Sequence, residues 1–124
     1  MKRLADSEFE IMKVLWRIDK PLTSNEILEE LKDYRNWKLA SLMTVLARMA
    51  EKGYVSCDRS TRTNFYSVVI SEEKYKADES ESFLQKMYDK SLKQFIVCMY
   101  QGKKLSAQDV EELRKYLDSL EGDN

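Results

Sequence analysis

The stretch from Trp37 to Tyr54, WKLASLMTVLARMAEKGY, constrains this chain more than any other. Leu39, Leu42, Leu46 and Met49, with Val45 beside them, recur three and four residues apart, the period of a helix buried along one side. Lys52 places a cation in the last turn, and Gly53 is the residue that most readily closes a helix in the left-handed region. The other face carries Lys38, Ala40, Ser41, Thr44 and Arg48. Its small side chains leave the helix slim, and its hydroxyls and cations suit the phosphates and base edges of a DNA major groove. For this stretch alone, a mixed polar face that simply meets water is the stronger reading, so the flanking segments decide.

Before it, Ser7-x-x-Glu10 predicts a capped helix with Phe9, Met12, Leu15 and Trp16 on its inner face and Leu4 packing just ahead. Pro21 stops that helix by Lys20, because the residue before a proline avoids helical geometry. Thr23-Ser24-Asn25-Glu26 is a second capping pattern, opening a helix with Ile27, Leu28 and Leu31 inward. Asp33 to Asn36 reads as a polar connection. Two helices, a short connection and a polar-faced third helix form a helix-turn-helix pattern.

After Gly53 the period changes from helix to strand. Tyr54–Arg59 and Asn64–Ile70 read as paired strands around a Ser60–Thr63 turn. A hairpin over residues 54–70, directly after such a helix, is the wing of a winged-helix domain, with Arg59 and Arg62 at its tip. The fold expected for residues 1–71 is therefore a winged helix-turn-helix: mainly α with a small β-hairpin.

Residues 72–124 read as a helical extension. One long helix is expected from Glu72 to about Tyr100, broken at Gly102 and Lys103-Lys104. Ser106-x-x-Asp109 then caps a last helix, which should fray at Glu121–Asn124. Phe83, Leu84, Met87, Leu92, Phe95, Ile96, Met99, Val110, Leu113 and Leu117 are too many large apolar groups for two helices to hide by folding on themselves. A homodimer is expected to cover them. Cys98 reads as a thiol within that interface.

Composition narrows the function. The chain has no histidine, which removes the commonest general base and the commonest transition-metal ligand. Cys57 and Cys98 stand far apart with no Cys-x-x-Cys, against a disulfide or a thiolate metal cluster. No enzyme, metal or cofactor is expected. No apolar run is long enough to cross a membrane and no signal peptide is visible, so a cytoplasmic protein is expected. The net charge is −1, yet its distribution is uneven. Residues 32–66 hold seven cations against three anions, and residues 71–124 hold nine against twelve. A basic middle beside an acidic tail fits a DNA-reading domain joined to an assembly segment.

The chain resembles the penicillinase repressor family, the BlaI and MecI type of winged-helix transcriptional regulators. The resemblance lies in Leu4–Met12 with Leu15-Trp16, in Ile27 and Leu31, and above all in Thr44–Tyr54. Tyr66-Ser67, Tyr75, Leu105-Ser106 and Asp109–Leu113 also fit. It implies a homodimeric repressor on a dyad-symmetric DNA operator, with DNA contacts at Ser41, Thr44 and Arg48. Lys38 joins these on charge grounds. Ala40 and Met43 stand where family members often carry Lys, Arg or Gln, so the operator of better-known members does not transfer. In antibiotic-sensing members a membrane sensor protease triggers cleavage of the dimerisation helix. The corresponding position here is Cys98-Met99, where the family's Asn is missing, so that partner is not carried over. The paired Cys-x-Cys of copper-responsive relatives is absent as well. Two alternatives stay open at this point: a PadR-like effector-responsive regulator of the same architecture, and a winged-helix module that binds protein and not DNA.

Overall fold

The computed structural model describes residues 3–122 and divides into two compact units, residues 1–77 and 78–124. The elements are α1 (Asp6–Ile18), α2 (Ser24–Leu31), α3 (Leu39–Lys52), β1 (Val55–Asp58), β2 (Phe65–Val68), α4 (Glu72–Tyr88), α5 (Leu92–Gln101) and α6 (Ala107–Gly122). The winged helix-turn-helix expected from the sequence is present, three helices followed by an antiparallel hairpin. None of the described helices is long and apolar enough to cross a membrane.

The first unit is built on one core. Ile11, Met12, Val14 and Leu15 of α1, Ile27 and Leu31 of α2, and Leu42, Leu46 and Met49 of α3 are buried together with Tyr54 and Val55. Each helix contributes residues at helical spacing, so a three-helix stack is what this pattern can bury. Leu39, expected on the inner face of α3, lies at the lip of the core and is 38% exposed. Phe9 and Trp16 are half-buried at the edge of the core, and Ile11 and Val14 take the inner positions.

The start of α1 differs from the expected Ser7–Glu10 cap. The helix begins at Asp6 with Ala5 as its N-cap, two residues before Ser7, and the Glu8 carboxylate reaches back to accept the Ala5 N–H at 2.8 Å. Glu10, freed from that role, pairs with Arg35 at 2.8 Å. The cap of α2 is as the sequence predicts: Thr23 Oγ1 accepts from Glu26 N–H at 3.1 Å, and Glu26 accepts from Thr23 N–H at 2.9 Å.

In the hairpin, Val55 faces Val68, Ser56 faces Ser67, Cys57 faces Tyr66 and Asp58 faces Phe65. One isolated bridge beside the hairpin has no signal in the local residue pattern. Leu22, just after Pro21, bridges Tyr66 through N–H···O bonds of 3.0 and 2.8 Å. The α1–α2 connection is thereby tied to the wing.

The expected helix from Glu72 to Tyr100 is two helices. Asp89 and Lys90 take φ of 49° and 71°, and no helix passes through two consecutive left-handed residues. Ser91 then opens α5 by accepting the Gln94 N–H at 3.1 Å. The start of α6 follows the expected cap, with Asp109 N–H donating to Ser106 Oγ at 3.0 Å and Ser106 N–H donating to Asp109 Oδ2 at 2.9 Å. Its helix runs on to Gly122, past the expected fraying point, while Asp123 and Asn124 lie outside the described residues.

The first turn of α4 belongs to the first unit, so the division falls six residues beyond the expected 71/72 boundary. Tyr75 is the reason. It is buried among Phe9, Trp16 and Tyr54, with ring centroids 5.9–6.1 Å away, and its hydroxyl accepts the Leu4 N–H at 3.0 Å.

In the second unit Phe83, Tyr88 and Phe95 form a mutual edge-to-face cluster with centroids 5.5–6.0 Å apart. No described residue of this unit is buried.

Candidate nucleic-acid interface

The outer face of α3 is held in place at its C-terminal end. At its C-terminus Gly53, at φ 89°, closes the helix by donating to Ala50 O at 3.1 Å, and Tyr54 N–H returns to Met49 O at 3.0 Å. Lys52, in the last turn, donates to both Glu8 oxygens at 2.9 and 3.2 Å. Glu8 is a buried acid, 3% exposed. Burial pushes its carboxyl up, but the Ala5 N–H, the Lys52 ammonium and the charge of Arg48 together outweigh that and hold it below the usual carboxylate range. The pair joins the positive end of α1 to the negative end of α3, so both helix dipoles favour it.

The N-terminus of α3 is different in kind. Asp6 and Glu8 stand in the first turn of α1 and Glu26 in that of α2, whereas α3 has no acid in its first turn and Lys38 as its N-cap. Uncapped N–H groups and a lysine make this end positive, the arrangement that suits a phosphate.

Between these ends Ser41, Thr44 and Arg48 are exposed and follow one another at helical spacing, backed by Leu42, Leu46 and Met49. Thr44 Oγ1 donates to Ala40 O at 3.0 Å, which commits its proton to the helix. Ala40, Met43 and Ala47 are exposed along the adjoining strip. Arg59 and Arg62 lie apart from these residues, exposed on the connection between β1 and β2. That connection is shaped by its own hydrogen bonds, Ser60 N–H to Asp58 Oδ1 at 2.9 Å and Thr61 Oγ1 to Thr63 O at 2.7 Å. These two bonds occupy the Ser60 amide and the Thr61 hydroxyl, leaving the arginines as the cations of the tip. The same Ser60 bonds hold the Asp58 carboxyl below its usual range.

Glu8, Leu22 and Tyr75 support this geometry, and the sequence reading missed the roles of all three. Only Glu8 left a local signal, its three-residue spacing from Ala5. Cys57 is half-buried in the wing and Cys98 is exposed, both as free thiols.

A family profile described as "Penicillinase repressor" matches residues 4–119. The chain belongs to the penicillinase repressor family. That membership sets aside the PadR-like alternative. Among relatives in this family, the chain is 28% identical over 116 residues to the penicillinase repressor of Bacillus licheniformis, covering 94% of this chain and 90% of that one. It is 25% identical over 115 residues to the methicillin resistance regulatory protein MecI of Mammaliicoccus sciuri, covering 93% of each. Two solved structures match the winged-helix part. The DNA-binding domain of the repressor BlaI is 31% identical, with a TM-score of 0.51 over 60% of this chain and 94% of that one. Monomeric Bacillus licheniformis BlaI in complex with the blaP half-operator is 30% identical, with a TM-score of 0.51 over 60% of this chain and 89% of that one.

Proposed function

We propose that the chain is a DNA-binding transcriptional repressor that acts as a homodimer on a dyad-symmetric operator. The observation that carries this is α3: a helix with a fully buried underside, a positive N-terminal end and an exposed stripe of Ser41, Thr44 and Arg48. The relatives are named as repressors, and one solved relative is bound to a half-operator, which supports the same use of the helix here. Lys38 and the N–H groups beside it meet a phosphate, α3 enters the major groove, and Arg59 and Arg62 reach the neighbouring backbone.

Pairing follows from residues 78–122. Met87 and Leu92 are more than half exposed, and Phe83, Leu113 and Leu117 are also exposed, in a unit that buries no residue by itself. A second copy covers these side chains and sets two recognition helices one helical repeat, or a multiple of it, apart. Such a repressor works where the DNA is, in the cytoplasm.

The test is fluorescence anisotropy with a labelled duplex taken from the chain's own upstream region, against a shuffled duplex, across a salt series. Preferential binding that weakens steeply with salt is expected, because phosphate neutralisation releases counterions. A chain that binds another protein and ignores duplexes even in dilute buffer overturns the reading.

A further inference from the structure

The exposed side of α3 is divided lengthwise. Ser41, Thr44 and Arg48 occupy one strip, and Ala40, Met43 and Ala47, with Leu39 at the start, occupy the other. Met43 is 43% exposed and Leu39 38%. A helix face that only meets water gains from long charged side chains at such positions, and this one has an alanine, a methionine and a second alanine in a row. Glu51, one turn beyond Ala47, is the sole exposed acid on α3 and lies at the end opposite Lys38.

From this we infer that the Ala40–Met43–Ala47 strip reads thymine C5-methyl groups in the major groove, so that the half-site is defined by thymine methyls more than by hydrogen bonds. The inference rests on the DNA-binding reading above and specifies what that helix recognises. The thymine methyl is the one apolar group that the four base pairs present in the major groove. Ala40, Met43 and Ala47 have no hydrogen-bonding side chain, so a methyl is what they can recognise there. Thr44 adds an independent observation. Its hydroxyl proton is spent on Ala40 O, so it brings a methyl and lone pairs to the groove and no donor in that rotamer. Ser41 and Arg48 remain as donors from the side chains of the outer face. The cations Lys38, Arg48, Arg59 and Arg62 commit the occupant to a polyanion, because an apolar protein surface gives them no counter-charge.

The experiment uses the full chain. A duplex pool with a randomised core is fractionated by binding, and the bound fraction is sequenced. Each thymine of the best duplex is then replaced by deoxyuridine, which removes the methyl and leaves every hydrogen-bonding group. The expected result is thymines at matching places in both halves, and about fourfold weaker binding for each contacted methyl removed, the factor for one buried methylene-sized group. Met43→Gln, a surface substitution, should abolish part of the deoxyuridine penalty while leaving the salt dependence unchanged. Equal affinity for thymine and deoxyuridine duplexes overturns the inference. Salt-sensitive duplex binding with no enriched sequence overturns the inference and the specific-operator reading together, while equal affinity for an enriched thymine duplex and its deoxyuridine form leaves the operator reading standing. Failure to bind any duplex in dilute buffer removes the DNA-binding reading itself and this inference with it.

Discussion

Lys52 donates to both carboxylate oxygens of Glu8, at 2.9 and 3.2 Å, and so pins the last turn of α3 to the first turn of α1 across 44 residues of sequence. The acid is almost wholly buried and its ammonium partner partly so. The carboxylate has no equivalent place in water once the helices have packed. The bond therefore fixes where α3 ends.

Glu8 makes stability depend on pH with a definite sign. Its carboxyl binds a proton less readily folded than unfolded, so protonation favours the unfolded chain. Its contribution is present in full above the unfolded carboxylate value of about 4.3 and is lost as pH falls through the lower folded value. Urea unfolding followed by Trp16 and Trp37 fluorescence should show this loss below about pH 4 in the wild type, and a flatter acid limb in Glu8→Gln. Lys52→Met removes the ammonium partner of the buried acid and leaves it the Ala5 N–H, so the variant should cost less at neutral pH than the roughly 3–5 kcal/mol of breaking a fully buried pair.

Tyr75 closes the first unit through one hydroxyl and three rings. Tyr75→Phe keeps the rings and orphans the Leu4 N–H, at a cost of about 1–2 kcal/mol. Tyr75→Ala also leaves a cavity beside Phe9, Trp16 and Tyr54 and should cost about 3–5 kcal/mol. Chemical denaturation of the two variants separates the terms; equal costs would mean the ring packing contributes nothing.

Arg62 is expected to act on DNA and hardly on folding, and Arg48 to act on DNA with a small further effect on folding through its charge near Glu8. Each alanine variant should lower the slope of log affinity against log salt by about one if the side chain neutralises one phosphate. Arg48→Ala should in addition narrow the preference between operator and shuffled duplex if the guanidinium meets a base edge. Anisotropy titrations at several salt concentrations measure both, with circular dichroism confirming the fold.

Pairing predicts that Leu113→Asp/Leu117→Asp weakens self-association by at least about tenfold, since each buried leucine is worth about 1.5–3 kcal/mol. Sedimentation equilibrium at micromolar concentration reads this directly. Operator affinity should fall with it, because one protomer then meets one half-site alone. A variant that stays dimeric places the interface elsewhere on the second unit.

Much of the fold was legible from local patterns. The Thr23–Glu26 cap, the Gly53 stop and the Ser106–Asp109 cap are contacts within about four residues, and the apolar stripe of α3 and the alternation of the wing strands are periods readable over the same span. The surface residues named from the sequence, Lys38, Ser41, Thr44, Arg48, Arg59 and Arg62, are all exposed, because a polar face opposite an apolar one has nowhere else to go. The break at Asp89-Lys90 was legible in principle, since Ser91-x-x-Gln94 is a cap signature, but the apolar period runs through it unbroken. Helical spacing on both sides hid the turn.

By itself the sequence determined the three helices and hairpin of the winged helix, the buried stripes of α2 and α3, and that the polar face of α3 is the one offered outward. Tertiary structure alone decided that Glu8 is buried against Lys52, that Leu22 joins the wing, and that the first turn of α4 belongs with the winged helix. Each of these depends on a partner 44 or more residues away: Lys52 for Glu8, Tyr66 for Leu22, Leu4 for Tyr75. A helical period or a capping motif reports only near neighbours. Which distant groups satisfy a buried acid, amide or hydroxyl is settled when the elements pack and water leaves.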